Sequence, residues 1–294
     1  MRVVTLLPAA TEIVAALGAG SRLVGISHEC DFPPEIRGLP RLTTTPLDPA
    51  APGPAIDEDV RRLQAAGLPV IAVDRDGLRR LAPDLIITQD LCEVCAVAEG
   101  KVHRLAAALD PEPAVLSLRA NTLAGIYADI RAVGRSLDLE ADADELVAGL
   151  DSRLRRLWTP TAERQRTICL EWLEPLYLAG HWVPELTSAA GGVDVGASPG
   201  RPSTRWRWEA VEALAPDLVL VALCGFAVER ARAELDRLDN AAGLRFLRQR
   251  PTWVIDGSAY TSRAGPRVID GAERIHAALV GREMPGLVRW GSRH

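Results

Sequence analysis

The sequence predicts an α/β protein of two similar lobes, each built on a parallel sheet and bridged by a long helix. Three observations carry this. The chain opens as β-α-β: residues 2–7 read as a strand, 11–17 as a short amphipathic helix closed by Gly18 and Gly20, and 23–27 as a second strand, a pattern that calls for parallel pairing with a crossover helix. Residues 81–87 (Leu-Ala-Pro-Asp-Leu-Ile-Ile) and 214–220 (Leu-Ala-Pro-Asp-Leu-Val-Leu) repeat one helix-to-strand phrase, as a duplicated lobe would. Between the copies, residues 121–158 read as helix: Leu123, Ile126, Ile130, Val133 and Leu137 recur at helical spacing, then Leu146, Val147, Leu150, Leu154 and Leu157. The second run starts on Asp142, Asp144 and Glu145 and ends on Arg153, Arg155 and Arg156, charges that complement a helix dipole at both ends. Domain bounds of 1–119, 120–160 and 161–294 follow.

Further elements are expected in order. Residues 43–54 form a Pro-rich loop, 57–66 a helix, 70–73 a strand, 78–81 a helical turn, 84–88 a strand, 101–109 a helix and 114–118 the last strand of the first lobe. In the second lobe, strands are expected at 166–171, 217–223 and 252–255, and helices at 185–190, 209–214, 228–236 and 267–279, with a Pro/Gly/Ser loop at 197–204.

Composition bounds the function. The 294 residues are 48% hydrophobic and carry a formal charge of -5, with mean hydropathy +0.05; this is a globular chain without the basic stripe that nucleic-acid binding needs. No run is long and apolar enough to span a membrane. Pro8 and Glu12 interrupt the only apolar run near the start, so no leader is visible. With five cysteines, an odd number, this points to reduced thiols and a cytoplasmic protein; the alternative is a periplasmic one. No Gly-x-Ser-x-Gly elbow, Walker loop or GxGxxG follows a strand, so no catalytic residue is assigned and a non-enzymatic protein is expected.

Ligands of open α/β sheets sit beyond the carboxyl ends of the strands, and the scarce residues collect there. Pro8, Ala9 and Ala10 follow the first strand. His28, Glu29, Cys30 and Asp31 follow the second. Gln89 and Asp90 follow the third, with Cys92 and Cys95 just beyond. In the second lobe the same places hold Trp172, Tyr177, His181 and Trp182, then Cys224, then Tyr260 and Arg263. Trp206 and Trp208 alternate along an extended segment, so at least one should face solvent or ligand. If the lobes face each other, these residues line one cleft, where aromatic faces suit a flat ligand. His28, Cys30, Cys92 and Cys95 are the candidate metal ligands.

Residues 3–12 (Val-Val-Thr-Leu-Leu-Pro-Ala-Ala-Thr-Glu), 24–34 (Val-Gly-Ile-Ser-His-Glu-Cys-Asp-Phe-Pro-Pro) and 81–86, with Gly191-Gly192 and 263–267 (Arg-Ala-Gly-Pro-Arg), resemble the cobalamin/iron-siderophore class of ABC-importer substrate-binding proteins, most strongly a leaderless, cobalamin-binder-like subgroup. The resemblance runs through nearly the whole chain. It implies two Rossmann-like lobes joined by a long helix, and cobalamin or another corrinoid as ligand in the cleft. Ligand contacts would fall on 8–10, 28–32, Gln89 and Asp90, Trp206 and 259–263. It further implies a permease partner docked through Asp76 and Glu209. A monomer is expected. The alternative is a cytosolic thiolate-metal or redox protein using the Cys/His cluster, with a bound metal ion.

Overall fold

A proline at the first helical position needs no backbone N–H and arrives with its φ already helical, so the first helix starts at Pro8, earlier than the apolar periodicity alone suggests. The computed structural model describes residues 1–90, 97, 99–157 and 163–291. The chain forms strand β1 (Val3–Thr5), helix α1 (Pro8–Ala16), β2 (Leu23–Gly25), β3 (Thr43–Thr44), α2 (Gly53–Ala65), β4 (Ala72–Val73), α3 (Arg75–Leu81), β5 (Leu85–Gln89), α4 (Glu99–Ala106) and β6 (Ala114–Leu118). Helices α5 (Leu123–Ser136) and α6 (Glu140–Leu157) follow. Then come β7 (Arg166–Leu173), β8 (Leu176–Leu178), α7 (Val183–Ala189), β9 (Val193–Asp194), β10 (Thr204–Arg205), α8 (Trp208–Ala213), β11 (Leu218–Val221), α9 (Val228–Arg237), α10 (Ala241–Arg248), β12 (Thr252–Ile255), α11 (Gly257–Tyr260), α12 (Val268–Leu279) and β13 (Leu287–Arg289).

Two compact units result. The first holds Met1–Ala51, Ala55–Ala120 and Ala124–Ala148; the second holds Pro52–Pro54, Asn121–Leu123 and the chain from Gly149 onward. The boundary falls inside α6. The helical stretch is two helices rather than one, because Asp138 turns left-handed (φ 57°) between them. Helix α6 keeps the expected polarity, with Glu140 and Asp142 in its first turn and Arg155 and Arg156 in its last.

The first unit has an all-parallel sheet in the order β2-β1-β5-β6. Val3 and Val4 are fully buried, as central parallel strands covered on both faces must be. The expected loop at 43–54 instead holds β3, paired antiparallel with β4, and the start of α2. The second unit's sheet is mixed, a departure from the parallel expectation. β7, β11 and β12 run parallel, while β8, β10 and β13 add antiparallel edges. These antiparallel strands have only two or three residues each, too few for period-two patterning to register.

The repeated phrase has the same geometry in both units. Ala82 (φ 39°) and Ala215 (φ 47°) both end a helix in the left-handed region. The Asp that follows accepts the backbone N–H of an arginine opening the unit's first strand: Arg2 N–H to Asp84 at 2.6 Å, Arg166 N–H to Asp217 at 2.8 Å. Each arginine then returns its Nε–H to a helix-end carbonyl, Leu81 or Ala215. A left-handed alanine costs about 1–2 kcal/mol, so its recurrence with the same clamp marks a duplicated structural unit. Both units are α/β, each with parallel strands at the centre of its sheet.

Candidate functional site

In the first unit, the loop after β2 is shaped by hydrogen bonds. Ile26 bridges to Arg41, and the Arg41 guanidinium donates to the carbonyls of Ser27 (2.9 Å), His28 (3.5 Å) and Cys30. Charge-assisted bonds of this kind contribute about 1.5–3 kcal/mol each, enough to hold an otherwise irregular loop. His28 is half-buried, and its Nδ1 lies 2.7 Å from the Thr43 hydroxyl. Burial first, and the Arg41 charge second, hold its pKa below the ordinary histidine value. Glu29 is exposed.

Cys30 is in the core, 1% exposed, its thiol 3.0 Å from the Thr11 hydroxyl, which lies 2.6 Å from that of Thr5. This corrects its assignment as a ligand contact or metal donor, since a thiol packed among hydroxyls inside the unit presents no accessible face. Among the described residues no group of three His, Cys, Asp or Glu side chains gathers as a metal site; Cys92 and Cys95 lie outside the described residues. Pro8, Ala9 and Ala10 are buried at the start of α1, leaving only backbone to offer. Gln89 ends β5 half-buried, and Asp90 stands 3.4 Å from the Arg119 guanidinium.

In the second unit, Trp172 near the end of β7 is half-buried, its ring 5.2 Å from that of Phe226. The pair walls a cavity of roughly 100 Å³ beyond β7 and β11, completed by Leu223, Glu174 and Glu234. Cys224, the residue after Leu223, is half-buried and donates its backbone N–H to the Glu171 carbonyl at 3.0 Å. After β12, Asp256 caps α11 by accepting the Ala259 N–H at 2.8 Å. That places Ser258, Tyr260 and Arg263 at the same carboxyl-end edge, with Arg263 donating to the Ser258 hydroxyl at 3.2 Å. Tyr260 packs under the Arg274 guanidinium, 3.6 Å from its ring centroid. Trp206 is half-buried, its indole N–H on the Thr204 hydroxyl at 2.8 Å.

His181 sits in a strained turn. Its φ is 53°, and two backbone bonds hold it there: its N–H to the Arg201 carbonyl at 2.6 Å, and its carbonyl from the Gly200 N–H at 2.8 Å. Its Nδ1 is buried without a hydrogen-bond partner, and burial lowers its pKa, so the ring is neutral near neutral pH. Strain of this kind persists only where surrounding structure enforces it.

Two of the tryptophans are buried, and the expectation that at least one of Trp206 and Trp208 is accessible is met by Trp206. Trp182 is 5% exposed and its indole N–H donates to the Thr261 carbonyl at 2.9 Å; it anchors the start of α7 instead of offering a face. Trp208 is 6% exposed and packs on Phe246, 6.0 Å away. Of the alternating pair only Trp206 remains accessible. Arg41 and Thr43, the supports of the His28 loop, go unmarked in the sequence reading. The run of threonines at 43–45 was the available signal, since threonine favours strands.

Loops at the carboxyl ends of parallel strands, in each of two duplicated α/β units, define a binding protein of the two-lobed class. The family model described as periplasmic binding protein matches residues 3–255, and the chain belongs to that family, whose members bind substrates for ABC transporters. It is 23% identical over 292 residues to the uncharacterized ABC transporter substrate-binding lipoprotein YvrC of Bacillus subtilis (strain 168), covering 95% of this chain and 79% of that one. Among solved structures it is similar to a periplasmic heme-binding protein from Pseudomonas aeruginosa, with TM-score 0.74 and 21% identity over 100% of this chain and 99% of that one. It is also similar to the periplasmic vitamin B12-binding protein BtuF of Vibrio cholerae, with TM-score 0.60 and 20% identity over 95% and 96% of the two chains. The expectation of a cytoplasmic protein is thereby corrected: the family is extracytoplasmic and the Bacillus relative is a lipoprotein. The cytosolic thiolate-metal alternative loses its compartment with it.

Proposed function

We propose that this protein is the non-catalytic binding component of an ABC importer and that its cargo is a planar, metal-bearing tetrapyrrole of the corrinoid or haem class. The observation that carries this reading is the edge of the second unit, where Trp172 near the carboxyl end of β7 packs on Phe226 beyond β11, and Arg263 lies beyond β12. Aromatic faces suit a flat macrocycle, and a guanidinium suits its carboxylate or amide substituents. The heme- and vitamin B12-binding relatives support the same ligand class. Titrating haemin, cobinamide and cyanocobalamin into the purified protein, with tryptophan fluorescence as readout, tests it. Trp172→Ala should weaken the ligand that binds by about tenfold, the usual magnitude for losing one aromatic face; unchanged affinity would remove Trp172 from the site.

Asp76 and Glu209 fit a docking role. Asp76 lies in the first turn of α3 and Glu209 in the first turn of α8, both exposed, and each precedes the left-handed alanine of its own unit by the same spacing. Duplication therefore gives the two acids equivalent places, as two-point docking on a permease with matched arginines would require. Asp76→Lys and Glu209→Lys should each lower cargo uptake in cells carrying the permease by about tenfold or more, the usual cost of reversing a paired interface charge. Affinity of the isolated protein for cargo should not change. Wild-type uptake in both variants would exclude the role.

A further inference from the structure

A groove at the amino ends of β5 and β6, on the opposite edge of the first unit's sheet from the loops described above, has a filled counterpart in the second unit. It encloses roughly 270 Å³ and is lined by Leu78, Arg79, Ala82, Pro83, Leu109 and Asp110, among others. Clefts that bury a drug-sized ligand run to about 300–1,000 Å³, so this one suits a single long side chain. The repeated phrase puts Pro83 in register with Pro216 and Ile86 with Val219. Ile86 pairs with Val115, and Val219 with Thr252, so Pro113 stands where the second unit has Arg250. There the arginine occupies the corresponding place. Its Nε–H donates to the Pro216 carbonyl at 3.2 Å, a terminal N–H donates to the Phe246 carbonyl at 3.4 Å, and its guanidinium lies 4.4 Å from the Phe246 ring centroid. Pro113 has no such group to offer. The connections differ too: α10 reaches β12 through residues 249–251, whereas α4 reaches β6 through 107–113, and the longer one leaves the groove open.

What the groove presents matches what Arg250 satisfies. No donor reaches the carbonyl of Pro83, the counterpart of Pro216, among the described residues. Asp110 lines the groove and forms no ion pair among them, while the Arg79 charge is met by Asp76 at 3.1 Å. Apolar walls with a carbonyl and a carboxylate suit a planar guanidinium on an aliphatic stem; an ammonium, compact and strongly hydrated, suits them less. We propose that this groove docks an arginine side chain presented by a partner protein, reproducing between two chains the contact that Arg250 makes within one. Because the groove lies at the amino ends of the strands, such a partner binds whether or not the carboxyl-end loops hold cargo.

The test titrates the isotope-labelled full chain with the blocked peptide acetyl-Gly-Arg-Gly-amide and with its citrulline analogue, which keeps the shape and loses the charge. Backbone amide shifts are read at Ala82 and Leu109, on the groove wall. The arginine peptide should give saturable shifts there and bind more tightly than the citrulline peptide. Asp110→Asn should weaken the arginine peptide by about two- to fivefold, the size of an exposed ion pair, and leave the citrulline peptide unchanged. Ala108→Trp, at an exposed position lining the groove, should plug it and abolish the shifts, with thermal unfolding as the check that the variant folds. Absence of saturable shifts in wild type, equal affinity for the two peptides, or shifts that survive in folded Ala108→Trp overturns the proposal. A wild type that self-associates and becomes monomeric on Ala108→Trp makes a second copy of this chain the occupant, which overturns the assignment to a different protein.

Discussion

Gly180→Ala is expected to destabilise the protein by about 3 kcal/mol, the upper part of the range for forcing a methyl group into packed surroundings. A β-carbon at Gly180 would overlap the Arg201 carbonyl oxygen and come within 2.6 Å of the Pro202 carbonyl carbon and the Ser203 nitrogen. All three are backbone atoms, which cannot rotate away as a side chain can. Relief would require the 180–181 and 201–203 segments to part. That would break both bonds between His181 and residues 200 and 201, and the Gly180 N–H to Ser203 hydroxyl bond at 3.1 Å. Urea unfolding checks the magnitude. Gly149→Ala is the control: Gly149 lies within α6 with nothing within 4 Å of an added β-carbon, and it should be neutral or gain about 0.5–1 kcal/mol. Equal stability of Gly180→Ala and wild type would mean that the two segments do not meet as described.

Asp194→Asn is expected to stabilise the protein, and only above weakly acidic pH. One carboxylate oxygen of Asp194 accepts the N–H groups of Gly196 and Ala197, both at 2.9 Å; the other is buried with no partner. Burial dominates, and the pKa is raised from 3.8 to about 6. Because the folded-state pKa lies above the unfolded one, the fold favours the neutral acid. Stability is therefore highest below the unfolded pKa, falls as pH rises between the two values, and is level above the folded one. A shift of this size corresponds to about 3 kcal/mol at most. The asparagine keeps the acceptor for both N–H groups and carries no charge, but its amide nitrogen inherits the unpartnered position, so a net gain of about 1–2 kcal/mol is expected. Thermal unfolding should show the variant more stable than wild type at about pH 8 and no more stable, or less stable, at about pH 4. A gap that is the same at both values would show that charge burial is not its cause.

Much of the fold was legible because hydrophobic period and punctuation agreed. The β-α-β opening, the duplicated Leu-Ala-Pro-Asp phrase and the strand at Thr252–Ile255 needed nothing beyond local chemistry. Asp74, which caps α3 by accepting the Gly77 N–H, was a readable start for a helix expected only as a turn. What sequence could not carry was direction and depth. Trp182 and Trp206 are the same residue type, and only tertiary partners make one a core anchor and the other an accessible face. The left-handed His181 depends on bonds to residues 200 and 201, which no local propensity encodes. The contact between His28 Nδ1 and the Thr43 hydroxyl likewise depends on a two-residue strand too short to stand out.

The most direct test of the central claim is an equilibrium titration of the wild-type protein with haemin, cobinamide and cyanocobalamin, read by tryptophan quenching. Saturable quenching at one ligand per chain by a tetrapyrrole, weakened by Trp172→Ala, is the predicted result. No saturable binding of any of the three, by a protein shown to be folded, would contradict it.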